Sequence, residues 1–208
     1  MILVGDDEVE LLPERAVWWP AARTLVVADL HWGKSETFRA HGMPVPGGEL
    51  ADDLGRLERA VMRHHAERVI VVGDLVHGRV PGTVVESVAA WRERCPVAML
   101  LVRGNHDRHV PALPAAWCIT DVSGVYQEAG YAFRHDPEPV PGLYTWAGHI
   151  HPMVTIRGRA DALRLPCFHL GGQVGLLPAF GTFTGGVRVR RAAEDRVYAV
   201  AGDRVVQV

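Results

Sequence analysis

The run Val69-Ile70-Val71-Val72-Gly73-Asp74-Leu75-Val76-His77 passes from an unbroken apolar stretch straight into a glycine, a carboxylate and an imidazole. Four consecutive β-branched residues suit a strand buried on both faces, as in a parallel sheet. Two further runs end alike: Leu25-Val26-Val27-Ala28 leads into Asp29-Leu30-His31, and Met99-Leu100-Leu101-Val102 into Gly104-Asn105-His106-Asp107. Open α/β sheets gather ligands in the crevice at the carboxyl ends of their strands. The three runs therefore deliver Asp, Asn and His side chains to one rim. His135 and the pair in Gly148-His149-Ile150-His151 also follow strand-like runs.

Helical periodicity separates the three strands. Leu50, Leu54, Leu57 and Val61 recur on one stripe, with Asp52, Asp53, Arg56, Glu58 and Arg59 on other faces. Thr83 to Arg94 places Val84, Val88 and Trp91 inward and is stopped by Pro96. With strands over Arg68 to Val72 and Val97 to Val102, this βαβαβ order predicts a partly parallel sheet. Upstream, Val9 to Leu12 and Ala16 to Trp19 read as a hairpin around Pro13-Glu14-Arg15. Trp18-Trp19-Pro20 there is either a stacking surface for bases or edge-strand packing. After Trp32-Gly33-Lys34 a polar, Gly/Pro-rich loop is expected through Gly48. Beyond His109 short apolar runs recur: Val122–Tyr126, Tyr131–Arg134, Tyr144–Ala147, Met153–Arg157, Arg164–Leu170, Gly186–Arg190, Arg196–Val200 and Val205–Val208. They predict a second, largely antiparallel sheet.

With 208 residues, 48% hydrophobic and 22% charged, the chain reads as one globular domain over residues 1–208. A net charge of −2 excludes bulk attraction to nucleic acid or anionic membrane, so any such contact needs a local patch or metal. Cys95, Cys118 and Cys167 form no CxxC and suit reduced, buried thiols. The opening residues lack a basic segment before an apolar one, and no apolar run nears the ~18 residues of a membrane helix. A soluble, cytoplasmic protein with no membrane contact is expected.

Oxygen and imidazole donors converging on one rim suit Mn, Fe or Zn better than Ca or Cu(I), and their number suits two ions. Two ions about 3.5–4 Å apart stabilise both the attacking and the leaving oxygen of a displacement at phosphorus, and a carboxylate is the natural bridge between them. Asp-x-His, Gly-Asp-x-x-His, Gly-Asn-His-Asp and Gly-His-x-His, in that order from Asp29 to His151, resemble the calcineurin-like metallophosphoesterase superfamily. The resemblance implies an α/β fold, a four-layer α/β/β/α sandwich of two mixed sheets flanked by helices. It implies Asp29, His31 and His151 on a first divalent ion, Asp74 as the bridge, and Asn105, His135 and His149 on a second. A metal-bound hydroxide would attack phosphorus, and His106 would serve as general acid or transition-state stabiliser, oriented by Asp29 or Asp107. His77 would lie near the phosphate or the metals. His169 is the rival to His135, while His41, His64, His65 and His109 lie in loops or at a helix end. Lys34, the one lysine, stands just past two ligands and either reaches a phosphate or is solvated.

A narrower set of residues is similar to the bacterial ligase-associated DNA-damage-response metallophosphoesterases. It comprises Asp29-Leu-His31-Trp-Gly33-Lys34, Phe38-Arg39, Gly42-Met-Pro44, Pro13-Glu14-Arg15, Trp19-Pro20 and the late Leu177-to-Gly186 stretch. That resemblance implies a Mn-dependent phosphodiesterase acting on nucleic acid in DNA repair, an endonuclease by association with a ligase, a helicase and a nuclease. Only 57 residues follow His151, so no DNA-capping domain is expected. The alternatives are a small-molecule or cyclic-nucleotide phosphodiesterase, a phosphomonoesterase, or a non-catalytic metal-binding scaffold. Phe180 to Gly186 reads equally as a phosphate-approaching loop or a tight turn. Arg188 and Arg190, on one face by alternation, either touch a nucleic-acid backbone or guard a strand edge.

Overall fold

A computed structural model describes residues 1–45, 47–158 and 161–208. The first sheet has seven strands whose spatial order is their chain order: β1 (Ile2–Val4), β2 (Asp7–Leu12), β3 (Ala16–Trp19), β4 (Thr24–Val27), β5 (Arg68–Val72), β6 (Ala98–Val102) and β7 (Ile119–Val122). Pairing is antiparallel from β1 to β4 and parallel from β4 to β7. Three α-helices occur among the described residues: α1 (Lys34–Ala40), α2 (Glu49–His64) and α3 (Gly82–Arg94). The second sheet contains β8 (Tyr126–Glu128), β9 (Tyr131–Arg134), β10 (Tyr144–Ala147), β11 (Pro152–Arg157), β12 (Ala162–Leu170), β13 (Val174–Leu176), β14 (Val187–Arg188), β15 (Arg196–Ala201) and β16 (Arg204–Gln207).

Alternation along the central strands explains the layers. Val69 and Val71 of β5 face a core shared with Leu54, Leu57 and Val61 of α2 and Val84, Val88 and Trp91 of α3. Ile70 and Val72 of the same strand face Tyr131, Phe133, Trp146 and Phe168 of the second sheet. Two mixed sheets thus pack face to face, and α2 and α3 cover the outer face of the first. Burying each of the fully enclosed Trp91, Trp117 and Trp146 stabilises by about 1.5–3 kcal/mol or more. Trp19 is buried edge-on to Tyr131, ring centroids 5.0 Å apart, and Trp18 packs on His64, so this pair packs the two faces of an inner strand and not a sheet edge. No described helix is long and apolar enough to cross a membrane.

The structure corrects four expectations. The segment after Trp32 is not all loop: Lys34–Ala40 forms α1. The Val122–Tyr126 run is a turn between β7 and β8, with Gly124 at φ 83°. The second sheet is antiparallel in five of its eight pairings, but β9 with β10, β10 with β13 and β11 with β14 run parallel. Parallel β9 and β10 bring the residues after both strands, His135 and His149, to one rim. Cys95 and Cys167 are buried, but Cys118 is exposed.

Candidate metal centre

The rim is assembled by backbone that side chains ordinarily avoid. Asp29, His31, Asp74, His149 and His151 all have positive φ, between 49° and 69°. Such conformations cost about 1–3 kcal/mol each outside glycine and persist only where neighbours enforce them. Here the loops after β4 and β5 zip together. The amides of Asp29, His31 and Trp32 donate to the carbonyls of Gly73, Asp74 and Leu75 at 3.1, 2.9 and 2.8 Å.

Three motif glycines have a steric reason. A Cβ on Gly73 would stand 2.0 Å from His135 Nδ1, one on Gly104 2.3 Å from Asp74 Oδ1, and one on Gly148 2.7 Å from Asp29 Oδ2. Each glycine is where a ligand-type side chain from another segment crosses the backbone.

The donors gather into groups. His31 Nε2 and His151 Nε2 lie 3.2 Å apart, with Asp29 Oδ1 3.6 Å from His151 Nε2. Asn105 Oδ1 lies 2.8 Å from His135 Nε2 and 3.1 Å from His149 Nδ1, and those two nitrogens are 3.0 Å apart. Asp74 stands between: its Oδ2 is 3.3 Å from His135 Nε2 and 3.9 Å from His31 Nε2, while its Oδ1 accepts the His106 amide at 2.9 Å. Asp29, His31 and His151 satisfy ion-holding proximity, as do Asp29, Asp74 and His135, and also His31, His77 and His106. Imidazole nitrogens facing one another at about 3 Å are spaced like donors sharing one ion at about 2.1 Å. The residues present fit divalent metal.

Electrostatics agree. Burial holds His31 neutral, its pKa down at about 2 despite Asp74, so its lone pair is free for a cation. Burial would raise the Asp74 carboxyl, but the hydrogen bond and charge of His135 and the His106 amide bring it down to about 2. Burial opposes charge on His135 and His151, yet Asp74 and Asp29 respectively outweigh it and draw protons onto both rings. Lys34, first residue of α1, is lowered by burial and partly restored by Asp74 and Asp29.

His77 and His106 stack with centroids 4.5 Å apart, and His77 Nδ1 is 3.4 Å from His31 Nδ1. Burial, His106 and Lys34 lower His77 to about 4. The His106 side chain is 36% exposed. Neither expected orienting acid faces its ring. Asp107 accepts the Gly104 and Val76 amides at 2.8 and 3.1 Å, and Asp29 accepts the His149 amide at 3.0 Å. Asp74 Oδ2 is the acid near the ring, at 4.0 Å. His169 lies elsewhere, its Nε2 2.7 Å from Asp195.

The Ala179–Gly186 segment is neither a simple turn nor a bare phosphate loop. It braces the rim: Gly181 donates to the Asp29 carbonyl at 3.1 Å, and the Gly185 carbonyl lies 3.0 Å from His151 Nδ1. An inner network that sequence reading missed holds it from behind. Asp53 Oδ2 accepts the Thr182 amide at 3.1 Å, Arg15 donates to Ala179 at 3.2 Å, and Arg56 bonds the Phe180 carbonyl and lies 4.3 Å over its ring. Asp53 is 5% exposed, not on a solvent face. Its spacing from Leu50 and Leu57 was the available signal.

With this geometry in place, the relatives can be weighed. Residues 22–194 match the model of the calcineurin-like phosphoesterase domain. A Pseudomonas putida structure titled nuclease MPE superposes with a TM-score of 0.86 at 37% identity, covering 100% of this chain and 98% of that one. An E. coli phosphoesterase, Yfce, aligns at 15% identity and TM-score 0.44, over 89% of this chain and 97% of its own. A comparison with curated proteins gives no significant match. The ordered motifs, the metal-ligand rim and the domain match over residues 22–194 converge: the chain belongs to the calcineurin-like phosphoesterase family and is a phosphoester hydrolase.

Proposed function

We propose that the protein is a dinuclear, manganese-dependent phosphodiesterase whose substrate is nucleic acid. The observation carrying this reading is the Asp74 carboxylate, set between His31 on one side and the Asn105, His135 and His149 group on the other. Asp29, His31 and His151 would hold one ion, Asn105, His135 and His149 the other, with Asp74 shared. Bound divalent ions would supply an acidified water and polarise the phosphoryl oxygens.

The chain's own side chains do the rest. His106, open to solvent and within 4.0 Å of Asp74, is placed to hand a proton to the leaving oxygen, a role suited to imidazole near neutral pH. His77 stacks on that ring and limits its rotation. Lys34 brings a cation beside the two aspartates for a phosphoryl oxygen. The nuclease title of the P. putida structure supports a nucleic-acid substrate, and the ligase-associated resemblance supports a DNA-repair setting in the cytoplasm, beside ligase, helicase and nuclease.

Mn-dependent cleavage of an aryl phosphodiester and of an oligonucleotide, in wild type and Asp74→Ala, tests the proposal. We expect a loss of roughly 1000-fold in Asp74→Ala, in line with removal of a principal electrostatic stabiliser. Equal rates in the two proteins would end it, and a phosphomonoester turned over faster than either diester would change the substrate class.

A further inference from the structure

We infer that an arginine-rimmed groove along β14, the strand whose ladder begins at the His151 carbonyl, is a binding track for the sugar-phosphate strand beyond the scissile bond. The inference rests on the nucleic-acid reading above. The groove encloses about 840 Å³. Val154, Val189, Val197 and Val208 line it, and Arg188 and Arg190 stand exposed along it.

Its placement follows from one strand. The Val187 amide donates to the His151 carbonyl at 3.0 Å, and β14 pairs in parallel with β11 from there, Met153 opposite Arg188. The Val189 amide continues the ladder to the Met153 carbonyl at 3.1 Å. At about 3.3 Å per residue, Arg188 and Arg190 lie within roughly 5–12 Å of the His151 backbone along the chain. That is the reach of the nucleotides next to a phosphate held at the rim.

Arg191 has a different task. It donates to the backbone oxygens of Asp195 and Val208, at 3.1 and 2.7 Å, and so fixes the far wall. The valines offer an apolar surface to sugars and bases, and Thr155 adds a hydroxyl.

Charge distribution favours the same occupant. Residues 152–208 contain eight arginines against four acidic residues, within a chain of net charge −2. Of the residues lining the groove itself, three are arginines and none is acidic, as a phosphate track requires. Guarding the edge strand β14 would be served by one charge. It gives no reason for two arginines along an apolar-lined groove.

Fluorescence anisotropy of a labelled single-stranded oligonucleotide on metal-free protein, across a salt series, measures the track without catalysis. Arg188→Gln/Arg190→Gln should weaken binding about 10-fold at low salt. It should flatten the log Kd against log salt slope by about 1.4, the value for two lost phosphate contacts on a single strand. Arg188→Lys/Arg190→Lys should keep the slope, because lysine still neutralises phosphate. Mn-dependent hydrolysis of an aryl phosphodiester, too small to enter the groove, should stay within 2-fold in both variants.

Unchanged oligonucleotide binding in the Gln variant overturns the inference. So does a parallel loss of aryl phosphodiester hydrolysis, which would mean a damaged rim. A wild type inert on the aryl phosphodiester would instead sink the phosphodiesterase reading, while the binding series still decides the groove.

Discussion

Histidine meets aspartate in two parts of this molecule. At the rim, Asp29 and Asp74 face His31, His135 and His151 at 3.3 to 3.9 Å. Where β12 pairs with β15, His169 Nε2 meets Asp195 Oδ2 at 2.7 Å. The shorter contact is the one outside the metal centre. What separates the two is the surroundings. The rim holds imidazole nitrogens facing each other at 3.0 and 3.2 Å and five ligand-type residues at positive φ, and glycines stand where any Cβ would collide. Asp195 instead also takes the Ala192 amide, at 2.8 Å, as an ordinary carboxylate does. A single His–Asp contact of that kind is an isolated hydrogen-bonded pair. Crowded like donors on strained backbone are what a cation repays.

The sharpest way to break this contrast is to add one methyl group in each place. A Cβ on Gly104 would stand 2.3 Å from Asp74 Oδ1 and 2.5 Å from the Asp74 amide nitrogen, so carboxylate or backbone must move. Gly104→Ala should lower Mn-dependent hydrolysis about 100-fold or more, the cost of an ångström-scale misplacement. Stability should fall by about 1–3 kcal/mol through overpacking. Gly172, near His169, has nothing within 4 Å of its Cβ position. Gly172→Ala should stay within 2-fold in rate and about 0.5 kcal/mol in stability. Initial rates and urea midpoints of both variants check the pair, and a fully active Gly104→Ala would remove the steric argument for the motif glycines.

Metal addition comes next in size. Mn at about 100 times its Kd should stabilise the metal-free protein by about 2.7 kcal/mol, roughly 5–10 °C in Tm for a chain of this size. Asp74 and Asp29 raise the proton affinity of His135 and His151 above the ordinary 6.5, so protons compete with the ion there. Metal binding then releases protons, and the Tm gain should be larger at pH 8 than at pH 6. Thermal scans should show the gain kept in His169→Ala and lost in His151→Ala. A gain that grew on acidification would reverse the assignment.

The same contrast explains what the sequence could reveal. β4, β5 and β6 were legible because strands covered on both faces are unbroken apolar runs, and the residues that follow them carry the chemistry. The donors from Asp29 to His151 were legible as motifs, but the spacing within a motif says nothing about which segment crosses which glycine. His135 could be separated from His169 only by its neighbours on β9, since an isolated histidine has no internal spacing. β13 went unread because Gly175 interrupts it, and the structure shows why: a Cβ there would lie 2.8 Å from the Trp146 ring. Asp53 pairs with Arg56 on its own helix and sits on the Leu50–Leu57 stripe, but what it braces went unread because Arg15 and Thr182 are 38 and 129 residues away. Long-range polar pairing leaves no periodicity.

The smallest expected effect concerns Asp195 itself. The His169 hydrogen bond, helped by the Ala192 amide, holds its carboxyl below the ordinary 3.8. A carboxylate favoured in the folded state contributes stability above its unfolded pKa and loses it as pH falls through the depressed folded value. The contribution should therefore be whole at pH 6 and vanish in strong acid, below 3.8. Its size should be about 1 kcal/mol or less, the net worth of one side-chain hydrogen bond. Urea midpoints of wild type and Asp195→Asn should differ slightly at pH 6, converge as pH falls below the depressed carboxyl value, and leave the Mn-induced Tm gain untouched. An Asp195→Asn protein that lost that gain would show the two regions to be coupled, and the distinction between an isolated pair and a metal centre would then have to be drawn by connectivity and not by crowding.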